Sequence, residues 1–192
     1  MRITVTPGIV RRLWAHMELV FGSNIARKDA PEMQLIAQML DNMGIMDTQD
    51  FLNRFTTTLG KTIYIPFNIG TESPGYNLAS QMRICVHEHQ HVHQFLQAGP
   101  KFSLDYLTDS AHRAAYEVDA FKCNLEINYW LTGELLDVSA LARTLVHYAC
   151  SESDIRVATK ALSMVSRTIE QGGVTSDAGK VAVKWLNELT IT

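Results

Sequence analysis

The stretch VHEHQHVHQF, residues 86–95, places four histidines and a glutamate in ten positions of a chain that has seven histidines in all. It lies inside a helical pattern that runs from about Leu78 to Gln97 and is stopped by Gly99-Pro100. This helix constrains the fold because its two sides make different demands. Met82, Cys85, Val86, His89, His93 and Leu96 fall on one stripe, which reads as facing the core. Ser80, Arg83, His87, His91 and Gln94 fall on the opposite, more polar side, which suits the wall of a cleft. His89 and His93 sit at the core boundary, and each needs a hydrogen-bond partner there.

The pattern His-Glu-x-x-His occurs once, as His87, Glu88 and His91. Side chains four positions apart on a helix are separated by about 40°, so both imidazoles reach one ion. The glutamate after the first histidine lies to the side, where it can take a proton from water. The other pair, His89 and His93, is followed by Gln90 where a base would stand. A catalytic zinc takes three protein ligands and leaves one position open for water. Gln94 and Gln97 rule out the extended pattern in which a third histidine follows on the same chain segment. The third ligand must come from elsewhere, and RAAYEVDAF, residues 113–121, offers Glu117 and Asp119. The Gly99-Pro100 turn lets that helix return antiparallel beside the first. Two helical positions are about 200° apart, so only one of these acids can face the ion. Glu117 is favoured, 26 positions beyond His91, and it shares its side with Arg113, Phe121 and Asn124. Arg113 could hold one carboxylate oxygen while the other meets the metal, or form an ordinary surface pair with Glu117. Tyr106, Tyr116, His112 and His147 are chemically able to stabilise an oxyanion, and the sequence does not rank them. Gln94 could orient a ligand or simply pack.

The rest of the chain reads as mostly helical. RITVT (2–6) and TIYIPF (62–67) favour strands, the second as an edge strand because Pro66 cannot donate to a ladder. Helices are expected after Pro7, over PEMQLIAQML, around Phe51, Leu52, Phe55 and Leu59, from about 110 to 131, and over about 138–149, 153–171 and 177–190. Met33, Met39, Met43 and Met46, and the three tryptophans, read as core filler. A net charge of −3 points away from nucleic acid, and no stretch approaches a membrane span. Three widely spaced cysteines and an opening without a signal-like apolar run suggest the cytoplasm. No linker divides the 192 residues, so one domain is expected.

TIYIP, VHEHQHVHQF and RAAYEVDAF together resemble the small gluzincin-type zinc metallopeptidases of bacteria and phages. The resemblance covers roughly residues 61–124. It implies zinc held by His87, His91 and Glu117, with Glu88 as general base, and peptide or protein substrates. It also implies a predominantly helical α+β fold of zincin-like build: a metal helix pair, a small sheet with an edge strand, and C-terminal helices. The metallopeptidase-like core would span about 61–133, with helical flanks at 1–59 and 134–192. Two departures stand out. His89 replaces an apolar residue, and Phe121 stands where the family often has an acid four residues after the ligand glutamate. The alternatives are a zinc-binding scaffold or interaction protein without turnover, and a helical interaction domain without metal.

Overall fold

The computed structural model describes residues 4–42 and 47–189. Residues 4–6 are irregular, not a strand, because Thr6 caps the first helix, α1 (Pro7–Phe21). The Thr6 side chain accepts from Ile9 N and Pro7 supplies a fixed φ at the first helical position. Residues 2 and 3 of that expected strand lie outside the described residues. There follow β1 (Asn24–Arg27), α2 (Pro31–Asn42), α3 (Thr48–Arg54), β2 (Thr57–Leu59) and β3 (Thr62–Ile65). Then come α4 (Leu78–Ala98), α5 (Pro100–Thr108) and α6 (Ser110–Thr132). The chain closes with α7 (Val138–Arg143), a 3₁₀ turn (Thr144–Tyr148), α8 (Glu152–Glu170) and α9 (Asp177–Leu189). The protein is thus predominantly helical, with one small mixed sheet. No helix among the described residues is long and apolar enough to cross a membrane.

The sheet corrects an expectation. Its order is β1-β3-β2, with β1 parallel and β2 antiparallel to β3. TIYI is therefore the central strand. It ends at Ile65, so Pro66 never has to donate to either neighbour. The edge on the far side from β1 is β2, formed from residues read as the end of a helix; α3 stops at Arg54. β1 itself, NIAR, has too little β-branched character to announce a strand.

α4 is the pivot. Asn77 caps it by accepting from Ser80 N, and Gly99, at φ +61°, ends it and admits Pro100 as the first residue of α5. The short α5 was not anticipated. Every residue of α4 from Cys85 to Val92 is buried, so the helix is covered on all sides. One core joins α1, β3, α4, α6 and α9 through Trp14, Met17, Ile63, Met82, Ile127 and Leu186. A second joins α6, α7 and α8 through Leu125, Leu145 and Leu162. A small third cluster holds Met33, Ala37, Phe51 and Tyr64. On α2, Met33 is buried as core filler, but Met39, read the same way, is exposed, as is Leu35. Met43 and Met46 lie outside the described residues.

Candidate metal centre

α4 and α6 bring the three expected ligands together. His87 and His91 come from one turn of α4, their ring centroids 4.9 Å apart and their planes at 82°. Glu117 comes from α6. His87 Nε2 lies 3.5 Å from Glu117 Oε2, and His91 Nε2 lies 3.3 Å from Glu117 Oε1. All three ligand atoms fall within 4.8 Å of one another, and all three residues are buried. A tetrahedral ion about 2.0–2.1 Å from each donor separates neighbouring donors by about 3.3–3.4 Å, so the spacing suits a small cation. Glu117 Oε2 is buried without a hydrogen bond, a costly arrangement that a cation would relieve. Two imidazoles and a carboxylate form a donor set that zinc favours, without excluding other first-row metals.

Asp119 does not take part. It points away from the cluster and pairs with Lys122 at 2.5 Å, as the helical periodicity requires for two residues 200° apart on about one turn.

The ligands are held from behind. Gln94 Nε2 donates to the Tyr116 carbonyl at 3.0 Å, which turns the amide oxygen toward His91 Nδ1 at 2.8 Å. His91 therefore carries its hydrogen on Nδ1 and leaves Nε2 free to ligate. His87 Nδ1 and Asn124 Oδ1 are both buried without an aligned hydrogen bond, although Asn124 stands near enough to His87 to favour its protonated form slightly, against burial and His91. Phe121 packs its ring 5.6 Å from that of His87, so an aromatic side chain lies against that ligand. Tyr106, from the unanticipated α5, donates its hydroxyl to Glu117 Oε1 at 2.6 Å.

Arg113 behaves differently from expectation. It donates not to Glu117 but to backbone carbonyls: Tyr148 O at 2.6 Å, Tyr106 O, and more distantly Leu107 O and Ala149 O. A guanidinium presents five donors in a fixed fork, and here that fork ties the end of α5 to the 3₁₀ turn across α6. Of the oxyanion candidates, His112 pairs with Asp109 on the surface and Tyr116 faces Asp105. His147 lines the cleft, as does Tyr148, which the sequence had not singled out.

Charge in the cluster is tightly linked. Burial raises the Glu117 pKa, but His91, His87 and the Tyr106 hydroxyl overcome it and hold it at about 2. Burial likewise pulls His91 down, and Glu117 overrides it and lifts it to about 9. His87 is lowered, by burial first and then by the neighbouring His91. The His91–Glu117 pair is thus ionic, and a cation entering the cluster must displace the His91 proton.

Glu88 lies beside the triad. A hollow of about 360 Å³ reaches His87 and Glu88 from the side of Arg54, Asn124 and His147. A second, of about 180 Å³, reaches His87, Glu88, His91 and Glu117 past Leu40, Phe51, Leu59, Phe102 and Leu107. The first hollow mixes polar and apolar residues, and the second is mainly apolar. His89 faces the core, as its stripe predicts: Nδ1 donates to Cys85 O at 2.7 Å and Nε2 meets the Ser23 hydroxyl at 2.9 Å. His93, partly exposed, pairs with Asp177 at 3.4 Å.

No protein-family model, curated protein or solved structure matches this chain.

Proposed function

We propose that this chain is a zinc-dependent metallopeptidase of zincin-like build, acting on peptide or protein substrates. The observation that carries the reading is the buried convergence of His87, His91 and Glu117, with Glu117 Oε2 lacking any hydrogen bond and Glu88 alongside. His87 and His91 would hold the ion through Nε2, and Glu117 through its carboxylate. Zinc bound there supplies Lewis acidity, lowering the pKa of a water toward neutrality and polarising a peptide carbonyl. Glu88 takes one proton from the attacking water as its oxygen bonds to the carbonyl carbon, then delivers that proton to the departing amine as the C–N bond breaks. Tyr106 keeps Glu117 oriented, and Gln94 keeps His91 in the ligating tautomer. The buried side chains about the triad exclude bulk water, which strengthens each of these interactions. Three free, buried cysteines suit a reducing compartment.

The test compares metal content and cleavage in one set of proteins. Wild type and Asp119→Ala bind about one zinc per chain; His91→Ala and Glu117→Ala do not. A peptide library incubated with zinc-loaded wild type yields defined cuts, and Glu88→Gln keeps its zinc while losing at least about a hundredfold in rate. Zinc bound without any cleavage leaves a zinc-binding scaffold, and no zinc uptake removes both readings.

A further inference from the structure

A general base beside a metal must be held in one orientation, and the His-Glu-x-x-His motif contains nothing that does this. The hold comes from Thr58 of β2 and from Thr56, the residue just before that strand. Glu88 is 4% exposed, and each of its carboxylate oxygens accepts from a different threonine: Oε1 from the Thr56 hydroxyl, Oε2 from the Thr58 hydroxyl at 2.7 Å. The Thr56 and Thr58 hydroxyls both reach Glu88, while that of Thr57, between them, is bonded instead to the amino group of Lys28. Lys28 is 2% exposed and rests 3.5 Å from the centroid of the Phe51 ring. β2 and the residue before it are thereby tied to Lys28 through Thr57 and to the two carboxylate oxygens of Glu88 through Thr56 and Thr58.

We propose that Thr56 and Thr58 are positioning residues for Glu88, a hydroxyl clasp that fixes the plane of its carboxylate at the metal centre. This rests on the metallopeptidase reading for its catalytic consequence. An ionised carboxylate offers about four lone-pair sites. Two are taken by the clasp, one on each oxygen, so each oxygen keeps a free site for the attacking water. Without the hydroxyls, a carboxylate this buried would have unsatisfied oxygens and freedom to rotate. The clasp comes from 30 and 32 residues upstream, so Thr58 and Thr56 acquire a function that no local pattern assigns.

The experiment uses the full chain loaded with zinc. Thr56→Val, Thr58→Val and the double variant are compared with the serine substitutions at the same positions. The valine variants are expected to lower kcat on a peptide found in the library screen by about 10–100-fold, with KM within about twofold and zinc content unchanged. Serine restores most of the rate because it returns the hydroxyl. A double valine variant with wild-type kcat overturns the proposal, and so does a loss of rate that serine fails to rescue or that tracks loss of zinc. A second measurement needs no turnover: Thr58→Val is placed in wild type and in Glu88→Ala, and thermal midpoints are compared. The clasp predicts a drop of about 4 °C or more in wild type and little change in Glu88→Ala. Equal drops in both backgrounds overturn it. If wild type cleaves nothing, the metallopeptidase reading falls, and this cycle still decides whether the hydroxyls hold Glu88.

Discussion

Glu117 meets three groups at once: two imidazoles and the Tyr106 hydroxyl, with its Oε2 left without a hydrogen bond. Its ligand role thus depends on residues that do not themselves touch an ion. Gln94 and Asn124 act the same way on the histidines, one through an aligned hydrogen bond and the other at close quarters. Outer partners of metal-binding histidines are commonly worth 10–100-fold in affinity. Gln94→Leu and Asn124→Leu are each expected to weaken zinc binding by about that factor, read by competition with a chromophoric chelator. Gln94→Leu should have the larger effect, because it removes a formed bond and leaves the Tyr116 carbonyl without its amide partner. Asp119→Leu is the control and should leave affinity unchanged, since that acid pairs with Lys122 and not with the ligand cluster.

At the scale of the element, α4 carries two histidine pairs that do opposite work. One face presents His87 and His91 to the centre, while His89 on the other face is fastened to Ser23 and Cys85 and flanked by Trp14 and Phe21 of α1. Burial lowers the His89 pKa to about 4, against the backbone bond to Cys85 and the charge of Glu88. The unfolded chain takes up this proton near pH 6.5, while the folded protein resists it until about pH 4. Above pH 6.5 the two states hold the same number of protons and His89 has no pH effect. As the pH falls from 6.5 to 4 the unfolded state binds more protons, so stability declines, by about 3 kcal/mol in total. Denaturant unfolding at a series of pH values should show this decline in wild type and a shallower one in His89→Gln. An unchanged slope in the variant would assign the acid sensitivity to other groups. β3, expected at the edge of the sheet, is its central strand. Proline excludes a residue from donating, but the strand stops one residue short of it, and strand order depends on pairing with β1, 38 residues upstream.

At the scale of the molecule, α6 belongs to both large cores. Cys123, Ile127, Trp130 and Leu131 pack toward α1, α4 and α9, and Val118, Phe121 and Leu125 pack toward α7 and α8. A cation bridging α4 and α6 would therefore cross-link the two largest parts of the interior. Ligand that binds only the folded state stabilises it by about 4 kcal/mol at a thousandfold excess over Kd. In a chain of this length each kcal/mol moves the thermal midpoint by about 2–4 °C. Saturating zinc is expected to raise the midpoint by about 10 °C in wild type, measured by calorimetry, and by none in His91→Ala. An equal rise in both would mean that the metal binds elsewhere.

The parts of the site legible from sequence are those that one helix settles by itself. His87, Glu88 and His91 are one turn apart, and a helix with a cap at Asn77 and a stop at Gly99 must place them together whatever surrounds it. The same periodicity separates Glu117 from Asp119, so that only one of them faces the ion, but the preference for Glu117 leans on Arg113, which turns instead to backbone carbonyls. What only the tertiary structure decided are contacts between residues distant in the chain: Tyr106 on Glu117 in place of Arg113, Thr56 and Thr58 on Glu88, and the order of the sheet. Helical spacing is a property of consecutive peptide units and is written into neighbouring residues. Which donor reaches a buried carboxylate depends on how whole helices and strands come to rest against each other, and no local pattern encodes that.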